Sequence, residues 1–348
     1  MRFMRNMALA AAFVMGVSAA MPCSRVVFRG DSTDVVMVGR TLDWRTPIPT
    51  DIYVYPVGIA KESMPSGPRY EWTSKYGSVL AVGYDGGVTE GFNERGLVAN
   101  GLFCHGSEYR MAVKGSDTKV MSLAMFVSFF LDNFATVDEV EQWLRASDFG
   151  INGATFDGGT VSLLHWAFTD TTGRTLILEY ESGKMNLYSS PDYQVMTNDP
   201  PFPQMLAISN YWNNKVGGVN MLPGTVRSSD RFVRASYFIH HQPSAGVNAD
   251  QALLQLNTLI NDVAVPAHYY VEGEPNLSMT QWRSISDVKR MRYYFQFADN
   301  LGMFYVDLSK LLLTPGSPVL KLDTSKHADF FGCVNDRLRR SEPFTPMY

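Results

Sequence analysis

A chain of 348 residues with 45% hydrophobic content is long enough to bury one large core or two ordinary ones. Its formal net charge of −4 supplies no bulk attraction for nucleic acid or an anionic membrane, so neither is expected as a partner. The three cysteines, Cys23, Cys104 and Cys333, exclude a disulfide scaffold: at most one pair can form, and one thiol is left over.

Residues 1–20 read as a secretory leader. Arg2 and Arg5 make the basic start, Met7 to Val17 the apolar stretch, and Ser18-Ala19-Ala20 a small-residue cleavage site. Residues 1–22 are therefore expected to be a signal peptide with a short pro-segment, and 23–348 a single domain, exported to the periplasm or beyond. No later apolar run reaches the roughly 20 residues that span a bilayer. The longest, 122–134, is interrupted by Asp132 and reads as a core helix.

Val-rich runs on either side of "GDS" predict a first hairpin, "SRVVFRG" with "TDVVMVGRTLDW". "DIYVYPVG", "GSVLAVGYDGG" and "EGFNERGLVANGLF" add strands joined by Gly-rich and Asn-rich turns. Helices are predicted over 121–134 and 137–147, with Thr136 as N-cap of the second. "TVSLLHWAFTD" and "RTLILEYESG" form another hairpin, followed by short strands in "MNLYSS" and "YQVMTNDPP". Helices dominate 202–262; in 231–241, Phe232, Ala235, Ser236 and Ile239 share one face. The last third returns to strands. Runs of strands and runs of helices imply an α+β fold with a mainly antiparallel sheet, not alternating βαβ units.

The common catalytic patterns are absent: no phosphate loop, no C-x-x-C, no H-E-x-x-H and no G-x-S-x-G. His240-His241 point to different helix faces, and His105 is not supported as partner to a cysteine. A thiol at the start of a mature chain needs neither histidine nor metal. Its own α-amine, with an ordinary pKa of about 7.7–8.0, can serve as the base, whereas a lysine near 10.4 needs deep burial to do so. "GRTLDW" places Arg40 and Asp43 on the strand facing Cys23, where a cation would favour thiolate and a carboxylate would hold the amine. A surface pair on an edge strand is the plainer reading of these two residues alone.

Cys23 together with "GRTLDW", "NERGLVANGL", "MTNDP" and "LPG…SSDRFVRA" resembles the choloylglycine hydrolase family, which includes bile salt hydrolases and penicillin V acylases. The resemblance runs from Cys23 to at least residue 297. It implies a four-layer αββα N-terminal-nucleophile hydrolase sandwich, no cofactor, no metal and a homo-tetramer. It implies Cys23 as nucleophile and base, Arg40 beside the thiol and Asp43 on the amine. Asn198 would donate its amide to the oxyanion, with Arg231 as electrostatic support. Phe103 stands where many bile salt hydrolases carry asparagine, so only its backbone N–H could serve as an oxyanion donor.

The implied substrate is a small-molecule amide with a bulky apolar acyl group. Trp44 and Phe103 are expected either to line its cleft or to pack in the core. Conjugated bile salts are favoured slightly over penicillin V or an acyl-homoserine lactone. Cys104 is expected to be a buried small hydrophobe. Cleavage after Ala20 would leave Met21-Pro22 ahead of Cys23, so further trimming is required. A non-catalytic exported binding protein and a lipoprotein acylated on Cys23 are the alternatives.

Overall fold

The computed structural model describes residues 23–31, 34–110, 116–153, 155–156, 160–268, 271–272 and 278–348. The expected leader and pro-segment, residues 1–22, lie outside them.

The first half supplies strands β1 (Cys23–Arg29), β2 (Val36–Trp44), β3 (Thr50–Tyr55), β4 (Ser78–Gly83), β5 (Gly87–Asn93) and β6 (Val98–Phe103), then helices α1 (Leu123–Asn133) and α2 (Val137–Ala146). Four strands follow: β7 (Leu164–Thr169), β8 (Thr175–Glu181), β9 (Lys184–Ser190) and β10 (Val195–Met196). Helices α3 (Phe202–Tyr211), α4 (Ser228–His241) and α5 (Ala249–Asp262) come next. The chain closes with β11 (Met279–Asp287), β12 (Arg292–Phe297), β13 (Phe304–Asp307), β14 (Leu320–Leu322), β15 (Gly332–Cys333) and β16 (Arg339–Arg340).

These strands form two large sheets. One has seven strands in the order β10-β1-β2-β11-β12-β13-β15; the other has nine, in the order β9-β8-β7-β6-β5-β4-β3-β14-β16. Every pairing within them is antiparallel except β13 with β15. The period-2 alternation in the sequence explains the layering. Val27, Val36, Val38, Val79, Ala81 and Val98 fill the space between the sheets. Trp166, Phe168, Leu176 and Leu178, on the opposite face of the nine-stranded sheet, pack on α1 and α2, where Phe126 stacks on Trp166 at 4.0 Å. Val26, Phe28 and Met37, on the outer face of the seven-stranded sheet, meet α4 and α5. The expected αββα order is therefore observed.

Thr136 caps α2 in a full capping box with Glu139. Expectation and structure differ at 121–134. Val120–Ser122 is a short strand pairing in parallel with Gly150–Asn152, and the helix starts at Leu123. Among the described residues, no helix is long and apolar enough to cross a membrane.

The seven-stranded sheet and α5 approach closely at Gly39, the middle of β2, where an added Cβ would lie 2.8 Å from Ile260 Cγ1. Gly39→Val forces the helix off the sheet directly behind the site strand. It should cost about 1–3 kcal/mol, read as a lowered urea midpoint with unchanged slope.

Candidate active site

The pairing of β1 with β2 sets the site. Cys23 lies opposite Leu42 and Arg25 opposite Arg40. Alternation sends Arg40 into the space between the sheets and Asp43, three residues on, to the other face. Cys23, as the first residue of β1, is reached from both sides.

On the inner side, Arg40 donates to Glu90 Oε2 at 2.9 Å and to the Gly101 carbonyl at 2.9 Å, and its guanidinium lies 5.2 Å from the Trp282 ring centre. Burial opposes its charge, but Glu90 and then Cys23 outweigh burial and hold its pKa above the ordinary value. Glu90 is itself buried and accepts from Asn100, Tyr293 and Ser284. Asn100 in turn accepts from Arg25 Nε at 2.7 Å. Burial pushes Arg25 down to about 9, against the pull of Glu90.

On the outer side, Thr41 donates to Asp43 Oδ2 at 3.0 Å, and Thr280, opposite Asp43 on β11, donates to Oδ1 at 2.5 Å. Burial raises Asp43 from an ordinary 3.8 to about 6, with Arg231 and the two threonines pulling the other way. The folded protein thus holds this proton more tightly than the unfolded chain. The stability it contributes is fully present below pH 3.8 and is lost as pH rises through about 6. At neutral pH the fold carries this carboxylate at a cost of about 3 kcal/mol. A buried group held against its own solvation in this way marks a functional-site candidate.

The backbone of Cys23 is gripped from α4 and from the segment after β10. Its nitrogen donates to Asn198 Oδ1 at 2.5 Å. Arg231, fully buried, donates to the Cys23 carbonyl at 2.7 Å, to Ser24 Oγ at 2.5 Å and to Asn198 Oδ1 at 2.9 Å. Burial lowers Arg231 to about 10, with Asp43 opposing, so it is charged at neutral pH. Asn198 Nδ2 donates to the Phe103 carbonyl at 2.6 Å. One of its two N–H groups is therefore engaged by the residue that the resemblance pairs with it.

Cys23, Arg40, Asp43, Trp44 and Phe103 line one mainly apolar cavity of about 100 Å³, with Leu42, Ile48, Val88, Leu123 and Leu164 among its other walls. Trp44 and Phe103 meet edge to face at 5.5 Å. The Trp44 indole N–H is buried and has no acceptor among the described residues. All seven expected site residues are thus brought to one place.

Arg25, Glu90, Asn100, Thr41 and Thr280 were missed by the sequence reading. Arg25 and Glu90 left one signal, a charge on a strand face whose next members are apolar, Val27 beyond Arg25 and Val88 and Phe92 on either side of Glu90. Cys104 is buried as expected, and all three cysteines are free thiols.

Two facing antiparallel sheets between helical layers, with the thiol on the first strand, define an N-terminal-nucleophile hydrolase fold. The chain belongs to the linear amide C–N hydrolases, choloylglycine hydrolase family, whose profile matches residues 23–326. It is 33% identical to a penicillin V acylase of Pectobacterium atrosepticum, covering 96% of this chain and 94% of that one. It is 24% identical to a bile salt hydrolase/transferase of Clostridium perfringens, over 70% of this chain and 80% of that one. The structure of penicillin V acylase from Agrobacterium tumefaciens superposes with a TM-score of 0.85 at 36% identity, covering 93% and 99% of the two chains. A conjugated bile acid hydrolase variant from Clostridium perfringens shares the fold, with a TM-score of 0.72 at 20% identity over 90% and 99%.

Arg231→Met removes a buried cation, takes its donor from the Cys23 carbonyl and Ser24 Oγ, and leaves Asn198 Oδ1 with the Cys23 N–H alone. The expected loss is about 3–5 kcal/mol, measured by urea unfolding. Arg231→Lys should recover little of it, because an ammonium cannot reproduce the guanidinium fork.

Proposed function

We propose that this amidohydrolase cleaves an N-acyl amide whose acyl part is a single ring or a slender chain, with Cys23 as nucleophile and its own α-amine as base. One observation carries the reading: the cavity against Cys23 is apolar and has room for about 100 Å³. An apolar cavity of about 150 Å³ holds one benzene, so a single ring needs this cavity to open slightly, whereas sites for larger ligands run to about 300–1,000 Å³. The 33% identity to a penicillin V acylase supports the same substrate class. The slight preference for conjugated bile salts expected from the sequence is the second reading. It requires the cavity to widen for a four-ring acyl group.

In this scheme the chain is exported and trimmed past Met21-Pro22, which frees the nitrogen now bonded to Asn198. Asp43 orients the amine, and Arg40 favours thiolate. The sulfur attacks the amide carbonyl, and the oxyanion is stabilised by the remaining Asn198 N–H and the Phe103 backbone N–H; losing one such donor costs about 2.7–4 kcal/mol. The amine protonates the leaving nitrogen, the C–N bond breaks, and water hydrolyses the thioester. Arg231 fixes Cys23 and Asn198 together. Trp44 and Phe103 hold the acyl group, and an oxygen on the substrate would satisfy the Trp44 N–H. Residues 23–348 act as one catalytic domain, and a homo-tetramer is part of the proposal.

The test is turnover by protein whose mass begins at Cys23. Penicillin V should be cleaved faster than glycine- or taurine-conjugated bile salts, and Cys23→Ala should abolish cleavage without lowering the melting temperature. Unchanged turnover in Cys23→Ala, or full activity in material still carrying Met21, would overturn the mechanism. Preference for bile conjugates would overturn the substrate assignment alone.

The pH profile should show an acid limb, because the α-amine must be neutral to act as base and Asp43, its pKa raised by burial, must be ionised to hold it. A kcat/KM that stays flat down to pH 4.5 would remove both the amine base and Asp43 from the scheme.

A further inference from the structure

The segment after β16 reads "SEPFTPMY", residues 341–348. Pro343 and Pro346 keep the residues before them out of the helical region, so the chain stays extended. Ser341 N–H donates to the Val319 carbonyl at 3.0 Å, which continues the pairing of β16 with β14. Phe344 then lies over β3, edge to face with Tyr53 at 5.9 Å and with Tyr55 at 6.1 Å, and its N–H donates to Tyr55 Oη at 3.0 Å. It is 6% exposed, whereas Pro343 and Thr345 on either side are exposed, so one buried ring anchors the segment. Further on, Met347 reaches the turn between β4 and β5. Its N–H donates to the Gly86 carbonyl at 2.9 Å, and its side chain packs so closely that a Cβ added at Gly86 would lie 2.6 Å from Met347 Cγ.

That turn is one wall of the cavity against Cys23: Gly83, Tyr84, Gly87, Val88 and Thr89 all line it. The turn closes where Gly86 N–H donates to the Gly83 carbonyl at 3.1 Å, and its two central residues, Tyr84 and Asp85, have φ of 53° and 52°. Glycine, asparagine or aspartate usually fills such left-handed positions, and a tyrosine there persists only where its neighbours hold it. Tyr84 N–H donates to the Pro49 carbonyl at 2.8 Å, and Asp85 Oδ1 accepts from Tyr53 Oη at 2.5 Å and from Lys321 Nζ at 3.1 Å. The Asp85 side chain is 57% exposed, so water can replace much of what Lys321 supplies. The Met347 side-chain contact is apolar and half-buried, and water cannot replace it. Val88 and Leu123 line the cavity and also belong to the apolar cluster that holds Phe344, so anchor and cavity share one packed unit.

We propose that Met347 is a positioning residue for acyl-group selection: anchored through Phe344, it braces the β4–β5 turn and so sets the width of the cavity. With the brace in place the wall stands close and a slender acyl group is preferred. Without it the strained turn relaxes outward and a wider group enters. Met347 lies behind the wall and not in the cavity, so it acts through the turn alone. The inference rests on the acyl site proposed above, because it says which wall limits that site.

The experiment compares the wild-type protein with Met347→Ala, Gly86→Ala and the double variant in two readouts. Peptide-resolved hydrogen exchange should show the amides of residues 83–89 exchanging about tenfold faster in each single variant, with those of α2 unchanged. In protein that begins at Cys23, the kcat/KM for a glycine-conjugated bile salt relative to that for penicillin V should rise about tenfold, through the KM for penicillin V, while kcat stays within about twofold. The double variant should match the single ones and not add to them, because both break one contact. Met347→Leu, which conserves volume, should behave as wild type. Unchanged exchange in Met347→Ala, equal losses on both substrates, or additive effects in the double variant would each overturn the proposal. If the wild type cleaves neither substrate, the substrate proposal above falls, and hydrogen exchange alone decides whether Met347 braces the turn. If Gly86→Ala does not fold, Met347→Ala and Met347→Leu decide.

Discussion

The site depends on one buried cation. Arg231 lies near the start of α4, yet its guanidinium is spent on β1 and on the segment after β10: the Cys23 carbonyl, Ser24 Oγ and Asn198 Oδ1 all accept from it. A charge with no exposure must keep every acceptor it has, because each lost partner leaves an uncompensated ion in a dry interior. The helical layer therefore cannot slide relative to β1 without breaking that set. Since Asn198 also reaches the Phe103 carbonyl, the same guanidinium indirectly ties the seven-stranded sheet to the end of β6 in the nine-stranded one.

The charges around this junction do not cancel. Three buried arginines, Arg25, Arg40 and Arg231, surround Cys23 together with two buried carboxylates, Glu90 and Asp43. Glu90 is shared by Arg40 directly and by Arg25 through Asn100, while Asp43 acts on Arg231. One positive charge is left without a buried carboxylate in this group. Arg40 and Arg231 both interact with Cys23, so the two cations meet at this residue.

Much of this was legible in the sequence because it is local. The first hairpin is written in its valines and its polar break, and its pairing alone brings Arg40 and Asp43 to Cys23. The helix over Val137–Ala146 announces its own start through Thr136 and Glu139. What could not be read is what depends on pairings between distant segments. β2 runs beside β11, so Thr280 reaches Asp43 across more than 200 residues of sequence. Glu90 reaches Arg40 from the opposing sheet, and nothing in "VTEGFN" says which sheet it will face. The break at Val120–Ser122 was missed because a three-residue strand running into a helix carries too few residues for its period to show.

Strand geometry also explains why a first-position cysteine can use two opposite environments. A residue inside a strand offers its side chain to one face and commits its backbone nitrogen to the ladder or to a neighbour. At the first residue of β1 the nitrogen is instead directed to Asn198, while the sulfur looks into the cavity beside Arg40. Asp43, on the face opposite Arg40, is held by threonines that satisfy both its oxygens without neutralising it. Cation and carboxylate are thereby kept on different sides of one strand, close to the same residue but not paired with each other. Arg40 is instead paired with Glu90, and the Asp43 charge is left to its hydroxyl donors and to Arg231. Had both pointed to one face, they would have formed an ordinary buried ion pair beside Cys23.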